Sequence, residues 1–158
     1  MIEVSLNNEV GFDISEQTAQ RIVHTILQDH GIERGEVSLA IIDDPTMHRL
    51  NREHLQHDYP TDVLSFVLEQ FDDELEGEVL VSFDTATRTA GEFAWKPQDE
   101  LMLYFIHGTL HLVGHDDHND ADRAKMREQE IHYLRLAGIE PSAEHLARTG
   151  LGIKESSA

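Results

Sequence analysis

The sequence of 158 residues contains no cysteine. Disulfides, iron–sulfur clusters and thiolate zinc sites are therefore excluded, and any metal must be held by His, Asp or Glu. Positive charge is scarce: 12 Lys and Arg stand against 31 Asp and Glu, a formal net charge of −19. So acidic a chain does not coat nucleic acid or an anionic membrane by bulk charge, although a local cationic patch remains compatible with it. Long apolar runs are missing too. The longest one beside the histidine-rich segment is Leu101 to Ile106, whereas a membrane span needs about 20 such residues. The opening MIEVSLNNEV has neither a positive start nor an apolar stretch behind it. No secretion signal is read there, and a cytoplasmic location without membrane contact is expected.

What is present describes an ordinary folded protein, with 39% apolar and 27% charged residues. At roughly 100–200 residues per domain the length suits a single domain over 1–158. Its core is expected over about 2–138, with a loosely held tail from about 141. Ile2, Val4 and Leu6 alternate as a strand does. Ser15 is placed to cap a helix whose Ala19, Ile22, Val23, Ile26 and Leu27 form one apolar stripe, with Gly31 ending it. Val37, Leu39 and Ile41 predict a second strand. Asp44 before Pro45 predicts the cap of a helix that carries Met47 and Leu50 inward and ends near Gln56.

Val63–Leu68 and Glu78–Ser82 are β-rich runs. The acidic stretch between them, from Glu69 to Glu78, reads as a solvated loop or hairpin tip. Asp84 is placed to cap a short helix ending at Phe93. Pro97 opens a helix that is apolar nearly all round and should be buried. A last helix runs from about Asp120 to Ala137, with Met126, Tyr133, Leu134 and Ala137 on one side, and Gly138 ends it. Together these elements predict an α+β fold, a mixed four-stranded sheet packed with about five helices.

Four of the 11 histidines fall between positions 107 and 118. His107 and His111 stand at i, i+4 on the buried helix, so their imidazoles share one face and can bind one ion. Gly114 permits the turn that brings the chain back, and Asp117 or His118 then supplies a third ligand. Two helical histidines and one ligand after a glycine turn leave a coordination position for water, as in a catalytic zinc site. The pattern His-x-x-x-His-x-x-Gly-x-x-(Asp/His) is zincin-like. Zinc peptidases, however, place Glu after the first His as general base, and here that residue is Gly108. His24, His30, His132 and His145 read as ordinary helix-face or tail residues.

HGTLHLVG with its acidic turn resembles the motif H-G-x-L-H-L-x-G-Y-D-H of the YbeY family, bacterial metal-dependent endoribonucleases of ribosomal RNA maturation. Leu50-Asn51 followed by Pro60-Thr-Asp-Val-Leu-Ser-Phe66 is similar to that family's L-N-x-x-Y-R-x-x-D-x-P-T-D-V-L-S-F. Gly77-Glu-Val-Leu-Val-Ser82 is similar to its G-D-I-V-I-S strand. The resemblance covers about residues 2–138. It implies one zinc ion per chain, held by His107, His111 and a third ligand. An ungapped register puts Asp117 on the family's third histidine, with His118 one residue later. The family's tyrosine–arginine pair falls on His54 and Leu55, so its arginine is missing. Arg49, Arg52, His54 and His57 form a cationic cluster that can substitute for it in RNA contact.

The function implied is a zinc-dependent, single-strand-selective endoribonuclease acting on ribosomal RNA precursors or a ribosomal subunit, in rRNA maturation and ribosome quality control. DNA is not an expected partner. The nucleophile is the water on the ion, and Glu100 and Asp116 are the candidate general bases. Ser65 and Thr61 can orient backbone by hydrogen bonds, and Ser65 joins the RNA-binding candidates. With Asp117 as ligand the ion is a weaker Lewis acid than with three histidines. A competing class is a non-catalytic ribosome assembly factor with a structural metal. A third is a metal-dependent hydrolase of another substrate.

Overall fold

The computed structural model describes residues 1–55 and 62–148, the side chains of residues 54 and 55 excepted. Four strands, β1 (Ile2–Asn8), β2 (Arg34–Ile42), β3 (Val63–Phe71) and β4 (Glu74–Ser82), form one sheet. Their order is β1-β2-β4-β3. β1 and β4 each run parallel to β2, and β3 runs antiparallel to β4, so the sheet is mixed as expected.

Alternation of side chains sorts this sheet into two faces. Leu39, Ile41, Val63, Val79 and Val81 join the main core with α1 (Glu16–Asp29) and α4 (Pro97–Leu112). Ile42 and Leu64, with Ala40, Phe66 and Leu80 packed against them, meet Met47 and Leu50 of α2 (Asp44–Leu55). α3 (Phe83–Glu92) contributes the buried Ala86 and Ala90, and α5 (Asp120–Leu136) the buried Met126, Tyr133 and Leu134. α4 is buried almost all round, as its composition predicts. It is the helix that carries His107 and His111, so the core itself holds these imidazoles in place.

Several local expectations hold. The Ser15 side chain accepts from Thr18 N, and Gly31 and Gly138 take positive φ of 83° and 82° after their helices. Others are corrected. Asp43, not Asp44, caps α2, accepting from Thr46 N at 2.8 Å. Asp44 instead receives hydrogen bonds from the Ser82 and Thr85 hydroxyls. Ser82 caps α3 in place of Asp84, whose carboxylate accepts from Asp44 N. The acidic stretch is mostly strand. Phe71 pairs with Glu74 across an Asp72-Asp73 turn, while Glu74 and Glu76 face outward from β4.

The tail expected from residue 141 is held firmly as far as Arg148. A sixth helix among the described residues, α6 (Ala143–Leu146), docks there. His145 is fully buried and stacks on Trp95 at 4.3 Å between ring centroids. Arg148 pairs with Glu100 at 2.9 Å, with both side chains buried. These contacts span about fifty residues of sequence, so no local pattern announces them.

Candidate metal centre

α4 places His107 and His111 one turn apart. Their Nε2 atoms face each other at 3.0 Å, with ring planes at 77°. Gly114, at φ 101°, then turns the chain through a conformation that side chains with a Cβ rarely adopt. The turn returns Asp117 over the pair, and its Oδ2 lies 3.8 Å from each Nε2. Asp117 is 6% exposed, and its Oδ1 is buried without a hydrogen-bond partner. A buried carboxylate oxygen left unpaired is costly unless something charged meets it. A divalent cation facing two imidazole nitrogens and this carboxylate supplies that charge, so the donor set fits a metal ion. One ligand atom from each of the three residues lies within 4.8 Å of the others.

His118, the alternative third ligand, projects away from this pair. It is 72% exposed and its Nε2 lies 3.0 Å from Asp116 Oδ1. Asp116, Asp117 and His118 form a second, more exposed group of possible ligands that shares Asp117.

The ring of His107 is fixed from behind by Glu130 of α5, whose Oε2 lies 2.6 Å from Nδ1. Nδ1–H donation to that carboxylate leaves the Nε2 lone pair directed at the site, the usual arrangement behind a metal-binding histidine. Arg127 Nη1 stands 3.6 Å from the other oxygen of Glu130. Burial first, and His107 second, push the His111 imidazole below its ordinary pKa. Both effects favour the neutral ring, the form that binds metal. The sequence signal for Glu130 is its spacing, four residues from both Met126 and Leu134 on the buried side of α5.

Gly108 points into the sheet rather than toward the histidines. A Cβ there would stand 2.5 Å from Val79 Cγ1 and 3.2 Å from Ser65 Oγ. The position that bears the general base in zinc peptidases is thus closed to any side chain. Ser65, a candidate for RNA contact, lies in this packing layer and is 4% exposed. Glu100, a candidate general base, belongs to the buried pair with Arg148 and also accepts from Trp95 Nε1. It is a structural charge closed to substrate. Asp116 remains open to solvent beside the site. Arg49 and Arg52 are exposed at i, i+3 on α2. The side chains of His54 and Leu55, and all of His57 and Thr61, lie outside the described residues.

A sequence model of a family described as Endoribonuclease YbeY matches residues 3–138. A protein named Endoribonuclease YbeY from Rhodopirellula baltica is 52% identical over 112 residues, covering 70% of this chain and 58% of that protein. The alignment therefore spans less than two thirds of that relative. One of the same name from Salinibacter ruber is 38% identical over 134 residues, 80% of this chain and 85% of the other. The solution structure of TM1509 from Thermotoga maritima superposes with a TM-score of 0.61 at 26% identity. It covers 87% of this chain and 89% of that one. No helix among the described residues is long and apolar enough to cross a membrane.

Proposed function

The chain belongs to the YbeY family, and from that premise we propose that it is a zinc-dependent endoribonuclease acting on single-stranded stretches of ribosomal RNA precursors, in rRNA maturation and ribosome quality control. The observation that carries this reading is the buried convergence of His107, His111 and Asp117, with Asp117 Oδ1 unpaired. The residues that would hold the ion are His107 and His111 through Nε2 and Asp117 through its carboxylate, in a zincin-like order. A zinc ion held there would polarise a phosphoryl oxygen and acidify water, the two things phosphodiester hydrolysis requires.

The chain's own residues do the rest. Glu130 keeps the proton of His107 on Nδ1 and the ring in register. The buried face of α4 keeps bulk water from the back of both imidazoles. Asp116, half exposed and next to Asp117 in the chain, is assigned the role of proton acceptor at the site. Arg49 and Arg52 are assigned to RNA phosphates, a modest attraction against −19 overall. The absence of the family's arginine at Leu55 removes one cationic contact, which favours weak RNA binding.

The test compares zinc-reconstituted protein with its His111→Ala variant on a labelled single-stranded RNA and on the matching duplex. Cleavage of the single strand by the parent, lost in the variant, is expected. RNA binding without cleavage by either protein would instead favour an assembly factor with a structural metal.

A further inference from the structure

A second pair of imidazoles lies outside the cluster described above. His30 stands at the C-terminal cap of α1, and His115 follows Gly114 in the turn after α4. Their Nε2 atoms face each other at 2.9 Å, with ring planes at 84°. This repeats the approach of His107 and His111, although 85 residues separate the two rings in sequence. The far nitrogen of His30 is anchored, with Nδ1 2.7 Å from the Ile26 carbonyl oxygen. A carbonyl only accepts, so Nδ1 carries the proton and Nε2 presents its lone pair to His115. A backbone carbonyl behind the ring is the support that metal-binding histidines use.

Two nitrogens on one tetrahedral zinc ion, with bonds of about 2.0–2.1 Å, lie roughly 3.3–3.4 Å apart. The rings need to open by only a few tenths of an ångström. His115 also lines an open cavity of about 340 Å³ with Asp116, Asp122 and Lys125. Water there can complete a coordination shell, and the two carboxylates offset the Lys125 charge.

We propose that His30 and His115 form a second transition-ion site that takes one divalent, imidazole-preferring ion, zinc or copper(II), with water in the remaining positions. With two protein ligands it binds more weakly than the three-ligand cluster. An ion there ties the end of α1 to the turn that delivers Asp117. The proposal goes beyond the RNA reading and does not depend on it.

The test titrates the chelator-stripped full chain with zinc chloride alone, against a competing indicator. The parent should take up one tight and one weaker equivalent. His30→Ala and His115→Gln should each weaken the second equivalent by about ten-fold or more and leave the first in place. His118→Ala should retain both, which separates this site from the Asp116–Asp117–His118 group. In parallel, ring resonances of His30 and His115 in the parent should shift with the second equivalent, a readout that stands even if a variant fails to fold. A single equivalent at saturating zinc overturns the proposal. So does a second equivalent that survives His30→Ala, or ring shifts confined to His118.

Discussion

Glu130 and His107 form a buried carboxylate–imidazole pair, with Oε2 2.6 Å from Nδ1 and both side chains almost fully enclosed. The pair links α5 to the helix that carries the candidate ligands. It makes the packing of α5 part of the geometry of the candidate site.

Replacing Glu130 tests that link. Glu130→Leu removes the acceptor behind His107 and should lower zinc affinity roughly 10- to 100-fold. Glu130→Gln keeps an oxygen acceptor and should recover part of the loss. Competition against a chelator at neutral pH measures both. Unchanged affinity in the leucine variant would show that the imidazole holds its orientation unaided.

Burial separates the two candidates for the third ligand. Asp117 is buried over the two imidazoles, whereas His118 faces solvent. Asp117→Ala should therefore weaken zinc binding and RNA cleavage far more than His118→Ala, because it removes one of three protein ligands. If His118→Ala loses zinc and Asp117→Ala keeps it, the turn after Gly114 must rearrange on binding.

Much of this was legible in the residues themselves. Alternation in Val37, Leu39 and Ile41, the stripe of α1 and the all-round apolarity of α4 each follow from local pattern. So does the i, i+4 spacing of His107 and His111. What was not legible depends on contacts between distant segments. Glu100 has the chemistry of a base until Arg148, 48 residues on, claims it. Asp44 and Asp84 have the composition of caps, yet each serves the other helix's start through tertiary hydrogen bonds. His30 looks like a helix-end residue until the turn at Gly114 brings His115 against it.

Gly108 should tolerate no side chain. A methyl group there meets Val79 Cγ1 at 2.5 Å in a layer that also contains Val63 and Ser65. Gly108→Ala should cost about 1–3 kcal/mol, the usual range for overpacking a filled core. Paired with Val79→Ala, which clears the collision, it should cost less than the two single changes added together. Urea denaturation of the three variants reads this coupling, and simple additivity would mean that α4 shifts freely on the sheet.

The docked C-terminal segment should be a measurable part of stability. Arg148 and Glu100 are both buried, and Trp95 Nε1 donates to the same carboxylate. Arg148→Met leaves that carboxylate without its counter-charge and should cost roughly 3–5 kcal/mol. Arg148→Met with Glu100→Gln removes the stranded charge while keeping an acceptor for Trp95, and should be less destabilised than Arg148→Met alone. Thermal melts of the metal-free proteins decide it. A double variant no more stable than the single would place the cost in lost packing against Phe93, which Arg148 covers at 4.2 Å.

His145 should make the fold acid-sensitive. Burial first, then the positive charges of Arg127 and Arg148, hold its pKa down to about 3. Arg127 Nη1 donates to its Nε2 at 2.9 Å, so the ring is neutral in the folded chain. The unfolded chain binds a proton at this residue below about pH 6.5, whereas the folded chain does not until about pH 3. Unfolding therefore takes up a proton across that window, and stability falls as pH falls through it. The limit for one such group is about 1.4 kcal/mol per pH unit. His145→Gln removes the titrating group and gives up some stacking on Trp95. It should be less stable than the parent near pH 7.5 yet lose stability more slowly on acidification. Urea midpoints of both metal-free proteins from about pH 7.5 to 4.5 provide the comparison, in which contributions from the other histidines largely cancel. Parallel slopes would mean that His145 reaches solvent when protonated, through an opening of the segment that carries α6.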